Sequence, residues 1–375
     1  MYKQMKCVLS FLLFQALVLF GCTQKQPQYE VITLTEENLP QIIPLKLEKI
    51  DLPEDYLMGN TYCYVYKDTI LLVLKKDDPY PLTHMLTIIN MNTQEKIGEY
   101  FTRGQGPREF ISLTGFLSHN HLDLCCYTTR KLVSFNIDSA IMLGNKYQTN
   151  VVAAKWEGFL DFRKFDDSSF LVTNMFYFDG CKEYKTDASV PEFYKISNNG
   201  DFSPAPKKIN FEKLKCFPAN VNGCEMSINE ERKRVVCCYH YQPYIKVFDL
   251  NMKQIRQING PEPDDGEYAI EYDNMLFFSV DKGINHYYYQ SFCDDDYIYV
   301  ANRRNHGDKS RGAEFIEKEK NTTEIFQLDW DGNVTARYSA KGYEFIYMTY
   351  GAATNIFYVW VDDNGERALY KAKLD

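Results

Sequence analysis

Short apolar runs bounded by Asn, Asp and Gly recur along the chain, whereas amphipathic helical periodicity is scarce. Runs of this length between turn residues are a strand signal. They come in a fixed order. One type of run appears as Asp68 to Leu74 and returns as Asn120 to Tyr127, Ser168 to Val172, Arg232 to Tyr239, Asp295 to Val300 and Asn355 to Trp360. The start-to-start spacings are 52, 48, 64, 63 and 60 residues. Each is followed by a second run ending in a polar turn: Leu86 to Asn90, Leu132 to Asn136, Phe193 to Ser197, Tyr244 to Asp249, Glu324 to Asp329 and Leu369 to Leu374. Polar tips such as Asn199-Gly200 and Asp331-Gly332 are hairpin chemistry. Two copies even share residues, Leu124-Cys125-Cys126-Tyr127 and Val236-Cys237-Cys238-Tyr239.

A four-stranded unit repeated without crossover helices predicts an all-β fold, a six-bladed propeller. Strands sandwiched between neighbouring blades are buried on both faces, so the first runs read as continuously apolar rather than alternating. The last blade stops after its third strand, at Leu374-Asp375. A spare strand-like stretch stands near the start, at Tyr29 to Thr35, with Ile42 to Ile50 as a second candidate. The expectation is that this N-terminal segment pairs with the last blade and closes the ring, so that residues 29–375 form one propeller domain. Closure removes two exposed sheet edges.

Ahead of that domain, Lys3 and Lys6 precede an apolar run from Val8 to Phe20. Its thirteen residues fall short of the ~20 that a spanning helix needs. A basic start and a short apolar core are the marks of a secretory signal. The run ends in Leu19-Phe20-Gly21-Cys22, which resembles the lipobox of bacterial lipoproteins. That resemblance implies a signal peptide at 1–21, lipid attachment at Cys22, and a polar tether over 22–28. Membrane contact is then through the anchor alone. Surface-exposed lipoproteins of Bacteroides-type bacteria resemble one another in carrying acidic residues just after the cysteine. None occurs here before Glu30, which favours the periplasmic side of the envelope over the cell surface.

Removing the two leader lysines from 42 basic residues leaves 40 against 51 acidic ones, a net charge near −11. An acidic surface argues against nucleic acid as a partner. Of the eleven cysteines, nine remain after Cys7 is lost with the leader and Cys22 is acylated. An odd number cannot pair completely. Adjacent side chains on a strand point to opposite faces, so Cys125-Cys126 and Cys237-Cys238 are placed to fill two core layers rather than to bond.

The stretch Arg103-Gly104-Gln105-Gly106-Pro107-Arg108-Glu109-Phe110 lies between one blade and the next. It is close to the Gly-Arg-Gly-Pro-Gly-Glu-Phe stretch of the TolB-like six-bladed propeller lipoproteins of Bacteroides-type bacteria, which the chain resembles. Arg108 stands where that family has a glycine. The resemblance covers nearly the whole mature chain and implies the fold and the lipid anchor, but no activity.

A related Gly260-Pro261 sequence occupies the corresponding join after the fourth blade. Recurrence at equivalent joins favours a rigid structural turn over a ligand loop. The same face receives two long loops, Asn174 to Glu192 and Asn302 to Thr323, the second carrying Arg303, Arg304, His306, Lys309 and Arg311. Long loops on a rigid scaffold are where function concentrates, and a basic cluster attracts carboxylate or phosphate. The candidate binding face is therefore Arg103, Gly104, Gly106, Pro107, Glu109, Arg303, Arg304 and His306.

No catalytic constellation stands out. His119-x-His121 lacks a third ligand nearby, so no metal is expected. Asp329-Trp330-Asp331-Gly332-Asn333 lacks the spacing of a calcium loop and reads as a hairpin turn. No Gly-x-Ser-x-Gly elbow or phosphate loop is present, and no cofactor is expected. The sequence thus points to a non-enzymatic binding or scaffold lipoprotein for an envelope protein or glycan. The alternative is a glycan-acting enzyme with carboxylates at the central channel.

Overall fold

The computed structural model describes residues 29–53, 56, 61–76, 84–155, 159–174, 189–205, 208–210, 223–261, 270–272, 275–277, 287–303, 322–343, 345–363 and 366–374. The leader, Cys22 and its tether, Arg304, His306 and most of the two long loops lie outside them.

Six antiparallel sheets of sequential strands make the six blades of a β-propeller. Blade 1 is Thr61–Tyr66, Ile70–Lys75, Leu86–Asn90 and Lys96–Tyr100. Blade 2 is Thr114–Ser118, His121–Cys126, Lys131–Asn136 and Val152–Ala153. Blade 3 is Phe159–Asp166, Ser169–Asn174, Phe193–Ser197 and Phe202–Pro204. Blade 4 is Cys224–Asn229, Arg234–Tyr239, Tyr244–Phe248 and Gln254–Asn259. Blade 5 is Tyr288–Cys293, Tyr297–Arg303, Thr322–Asp329 and Val334–Lys341. Blade 6 is Phe345–Gly351, Ile356–Asp363 and Glu366–Lys373.

The six repeated apolar runs form the second strand of each blade. The strand before each run lies innermost, where first strands of successive blades pack against one another. Burial on both faces is complete enough that Leu71, Leu124, Leu171, Val236, Val300 and Val359 are within 1% of full burial. The adjacent cysteines divide between layers as strand geometry requires. Cys126 packs in the core shared with blade 1, and Cys125 in the core shared with blade 3. Cys237 and Cys238 split in the same way between the cores on either side of blade 4. All seven described cysteines are buried and free.

The N-terminal segment runs along the outside of three blades. Glu30–Thr33 lies beside the outer strand of blade 4 as its fifth strand. Ile42–Pro44 pairs in parallel with the outer strand of blade 5, Ile43 opposite Tyr338. Glu48–Ile50 pairs antiparallel with Glu366–Lys373, Lys49 opposite Tyr370, and supplies the missing fourth strand of blade 6. Closure through the last blade therefore comes from the end of the second candidate stretch. The first, Tyr29 to Thr35, is spent on blade 4, because Leu34 is buried in the core between blades 4 and 5, with Leu39 packed against it. Between these strands, Glu36 bonds Arg337 at 2.9 Å, and Arg337 in turn bonds Glu324 at 2.8 Å. The ring closes on itself where Trp360 Nε1 of blade 6 donates to the carbonyl of Thr61 in blade 1, at 3.1 Å.

One short helix, Ile137–Leu143, interrupts blade 2 between its third and fourth strands. Asn136 caps it by accepting from the Ser139 N–H at 2.8 Å, while Ile137 and Ala140 are buried. The predicted hairpin at Asp329 forms as well. Its Oδ1 accepts from the N–H groups of Asp331 and Asn333, and Gly332 takes the positive φ of 86° that the turn demands.

Candidate functional site

Each blade has one end where its first and second strands are joined by a tight turn. The opposite end holds the connections from blade to blade and the loops between second and third strands. The candidate binding residues with described positions all lie on that join face.

There the Arg103–Phe110 stretch folds into a turn that bonds chiefly to itself. Arg103 and Phe110 form an isolated bridge, Gly104 N–H donates to Phe110 O at 3.1 Å, and Glu109 N–H donates to Gly106 O at 3.0 Å. The Glu109 carboxylate folds inward and accepts from Gly106 N–H at 2.8 Å. This explains both glycines. A Cβ on Gly104 would overlap that carboxylate, and one on Gly106 would stand 2.9 Å from it. From blade 2, Lys131 reaches under the turn and donates to the carbonyls of Gly106 and, at 2.6 Å, Glu109. Pro107 and Arg103 remain exposed at the rim of the turn. The join after blade 4 is tied down comparably. Gly260 N–H donates to Pro243 O at 2.8 Å, and Gly260 O accepts from Tyr288 hydroxyl at 2.5 Å. Arg303 ends the second strand of blade 5, so the basic loop leaves from this face too.

Sequence reasoning missed a second constellation, which joins the first strands of five blades. Tyr64 of blade 1 donates its hydroxyl to Gly115 O of blade 2 at 2.8 Å. Tyr347 of blade 6 crosses to the same strand, where its hydroxyl accepts from Leu117 N–H at 3.0 Å. The two tyrosine rings meet edge to face with centroids 4.2 Å apart. Beside them Arg163 of blade 3 pairs with Glu225 of blade 4 at 2.9 Å, and its guanidinium lies 3.9 Å from the Phe116 ring of blade 2. All of these side chains except Phe116 are under 5% exposed.

Next to that pair lies Asp161. It accepts from Cys224 N–H at 2.9 Å, with His240 Nε2 at 4.0 Å. His240 Nδ1 sits 2.6 Å from the backbone carbonyl of Tyr288, which fixes Nδ1 as the protonated nitrogen. Burial pushes the Asp161 carboxyl above the usual carboxylate range, against the pull of His240. Glu225 is likewise raised by burial, with Arg163 opposing. Raised carboxyls in a cleft are the usual material of acid–base chemistry. Here both are committed to partners inside the core. The only sequence signal for this cluster was a charge on strands otherwise apolar, and the partners stand 62 residues apart.

His121 and His119 lie at the other end of blade 2, where His121 Nε2 is 3.2 Å from the Asn136 amide. Among the described residues no group of three or more His, Cys, Asp or Glu is arranged to hold a metal ion.

No protein-family model matches the chain, and no curated protein matches it. Solved structures do share its architecture. A member of the duf4221 family from Bacteroides vulgatus superposes with a TM-score of 0.54 at 11% identity, covering 90% of this chain and 98% of its own. A putative exported protein from Bacteroides fragilis gives 0.49 at 11%, covering 92% and 99%. Streptogramin B lyase gives 0.43 at 9%, covering 88% and 98%. At such identities the likeness is one of fold, and activity has to be argued from this chain's own site.

Proposed function

We propose that this chain is a lipid-anchored envelope lipoprotein of the TolB-like kind, whose propeller is a non-enzymatic binding or scaffold module for a protein or glycan. The observation that carries the reading is that charged groups of the innermost strands are committed to one another: Arg163 is paired with the buried Glu225, and Asp161 accepts from the Cys224 N–H. The join face presents the self-bonded turn at Arg103–Phe110, with Arg103 and Pro107 exposed, beside the end of the strand that reaches Arg303. Rigid turns under variable loops are the usual division of labour in a recognition surface.

The test is capture of partners from detergent-solubilised envelopes by the mature protein, wild type beside Arg303→Ala/Arg304→Ala. A partner held by the wild type and lost in the variant supports the join face as the recognition surface. Equal capture moves the interface elsewhere, and no capture by either form counts against the scaffold reading.

The glycan-acting alternative draws on Asp161 and Glu225, two raised carboxyls beside one another. Glycosidases rely on two carboxyls whose environments push them apart, and here the Arg163 guanidinium bonded to Glu225 is what sets the two environments apart. Glycan turnover by the wild type that disappears in Asp161→Asn and Glu225→Gln would favour it.

A further inference from the structure

The described residues expose eight large apolar side chains, and four of them stand on the outer strands of two adjoining blades. Val31 and Ile255 stand on the outermost pair of strands of blade 4, 45% and 37% exposed. Ile42 and Ile43 stand on the outermost strand of blade 5, 47% and 46% exposed. Three of the four belong to the N-terminal segment itself. The remainder are dispersed: Met142 and Leu143 on the helix of blade 2, Tyr127 at the end of that blade's second strand, and Phe202 on blade 3.

This rim is also where the chain enters the propeller. Seven residues, Thr23 to Tyr29, separate Cys22 from Glu30. A stretch of that length reaches about 28 Å when fully extended. As a flexible coil its ends average ~16 Å apart. A lipid on Cys22 therefore holds the outer edge of blade 4, where the chain enters, within that reach of the bilayer, with the edge of blade 5 beside it. Apolar side chains gain by entering the headgroup boundary, and a net charge near −11 leaves no broad electrostatic attraction to compete with them.

We propose that the rim formed by Val31, Ile42, Ile43 and Ile255 rests on the lipid surface and orients the propeller edge-on to the membrane. The inference rests on the lipoprotein reading above. Its test uses the full lipidated chain in uncharged phosphatidylcholine vesicles that carry a phospholipid with a photoactivatable diazirine, with crosslinks located by mass spectrometry. The acyl mass on Cys22 is read from the same sample. The expected result is acylated Cys22 with crosslinks concentrated in 30–45 and 253–259. Ile42→Asn/Ile43→Asn, changed at exposed positions, should keep the acyl group and lose those crosslinks by roughly tenfold. Acylated protein with crosslinks at Met142 and Leu143, or spread evenly around the ring, overturns the orientation and leaves the lipoprotein reading standing. A dimer of the lipidated chain in the vesicles that Ile42→Asn/Ile43→Asn dissociates assigns the rim to a second copy and also overturns the proposal. Absence of the acyl mass overturns the lipoprotein reading, and the orientation falls with it.

Discussion

Arg163 of the third blade and Glu225 of the fourth meet at 2.9 Å, each 4% exposed in its side chain, at the centre of the ring. A pair so placed braces two blades, and it is costly to break from one side only. Arg163→Met should destabilise the protein by about 3–5 kcal/mol, because it leaves Glu225 buried and unpaired. The double change Arg163→Met/Glu225→Leu should restore most of that loss. Denaturant midpoints of the three proteins decide the matter, and a double variant no better than the single would show that the orphaned Glu225 is not the source of the loss.

Lys131 makes a second prediction, on the join face. Its ammonium serves the carbonyls of Gly106 and Glu109 from below. Lys131→Met should cost about 1–3 kcal/mol, the usual penalty for polar groups deprived of a partner in a buried place. Gly104→Ala should loosen the same turn by driving the Glu109 carboxylate out. Hydrogen exchange of residues 102–110 should quicken in both variants, while exchange in blades 4 and 5 stays unchanged.

The pH dependence has a clear sign at Asp166. Burial alone would raise this carboxyl, but hydrogen bonds from the hydroxyls of Ser168 and Ser169 and the Ser168 N–H outweigh it and hold it below the usual value of 3.8. A depressed carboxyl contributes stability that is present above its unfolded value and lost as pH falls through the folded one. Asp166→Ala should therefore cost about 1.5 kcal/mol at pH 7. The gap between variant and wild type should narrow as the pH drops below 3.8.

The contacts of the N-terminal segment predict an asymmetry around Arg337. Glu324 is buried with it, whereas Glu36 is 61% exposed in its side chain. Glu36→Gln should cost less than about 1 kcal/mol, as exposed pairs do. Arg337→Met should cost about 3–5 kcal/mol, because Glu324 stays behind in the core. Comparable losses from the two changes would contradict this picture.

Much of the architecture was readable before any coordinates. The second strand of every blade is legible because it is apolar on both sides, the third because it follows and ends in a polar turn, and the Cys125-Cys126 pair announces a strand shared between two cores. The first strands escaped notice for a physical reason. In blades 3 and 4, Asp161, Arg163 and Glu225 interrupt the apolar pattern, and only the fold reveals that these groups serve one another. The fourth strands of blades 2, 3 and 6 are two or three residues long, so they carry little pattern; Glu48–Ile50 reads simply as Glu-Lys-Ile. The helix at Ile137 is seven residues long, too brief to show a period. Of the site, the glycines at 104 and 106 were legible as a turn. The Lys131 beneath them was not, since nothing in its neighbourhood hints at carbonyls from another blade.

The course of the N-terminal segment also bears on how the molecule can be made. Glu48 finds Lys371 more than 300 residues along the chain, and Leu34 waits for the cores of blades 4 and 5. The part of the domain synthesised first is thus among the last to find its place. Contacts so distant in sequence slow folding, since the intervening loop must close before they contribute. Until the last blade is complete these edge strands have nothing to pair with, an interval in which the apolar Leu34 stays open to wrong partners.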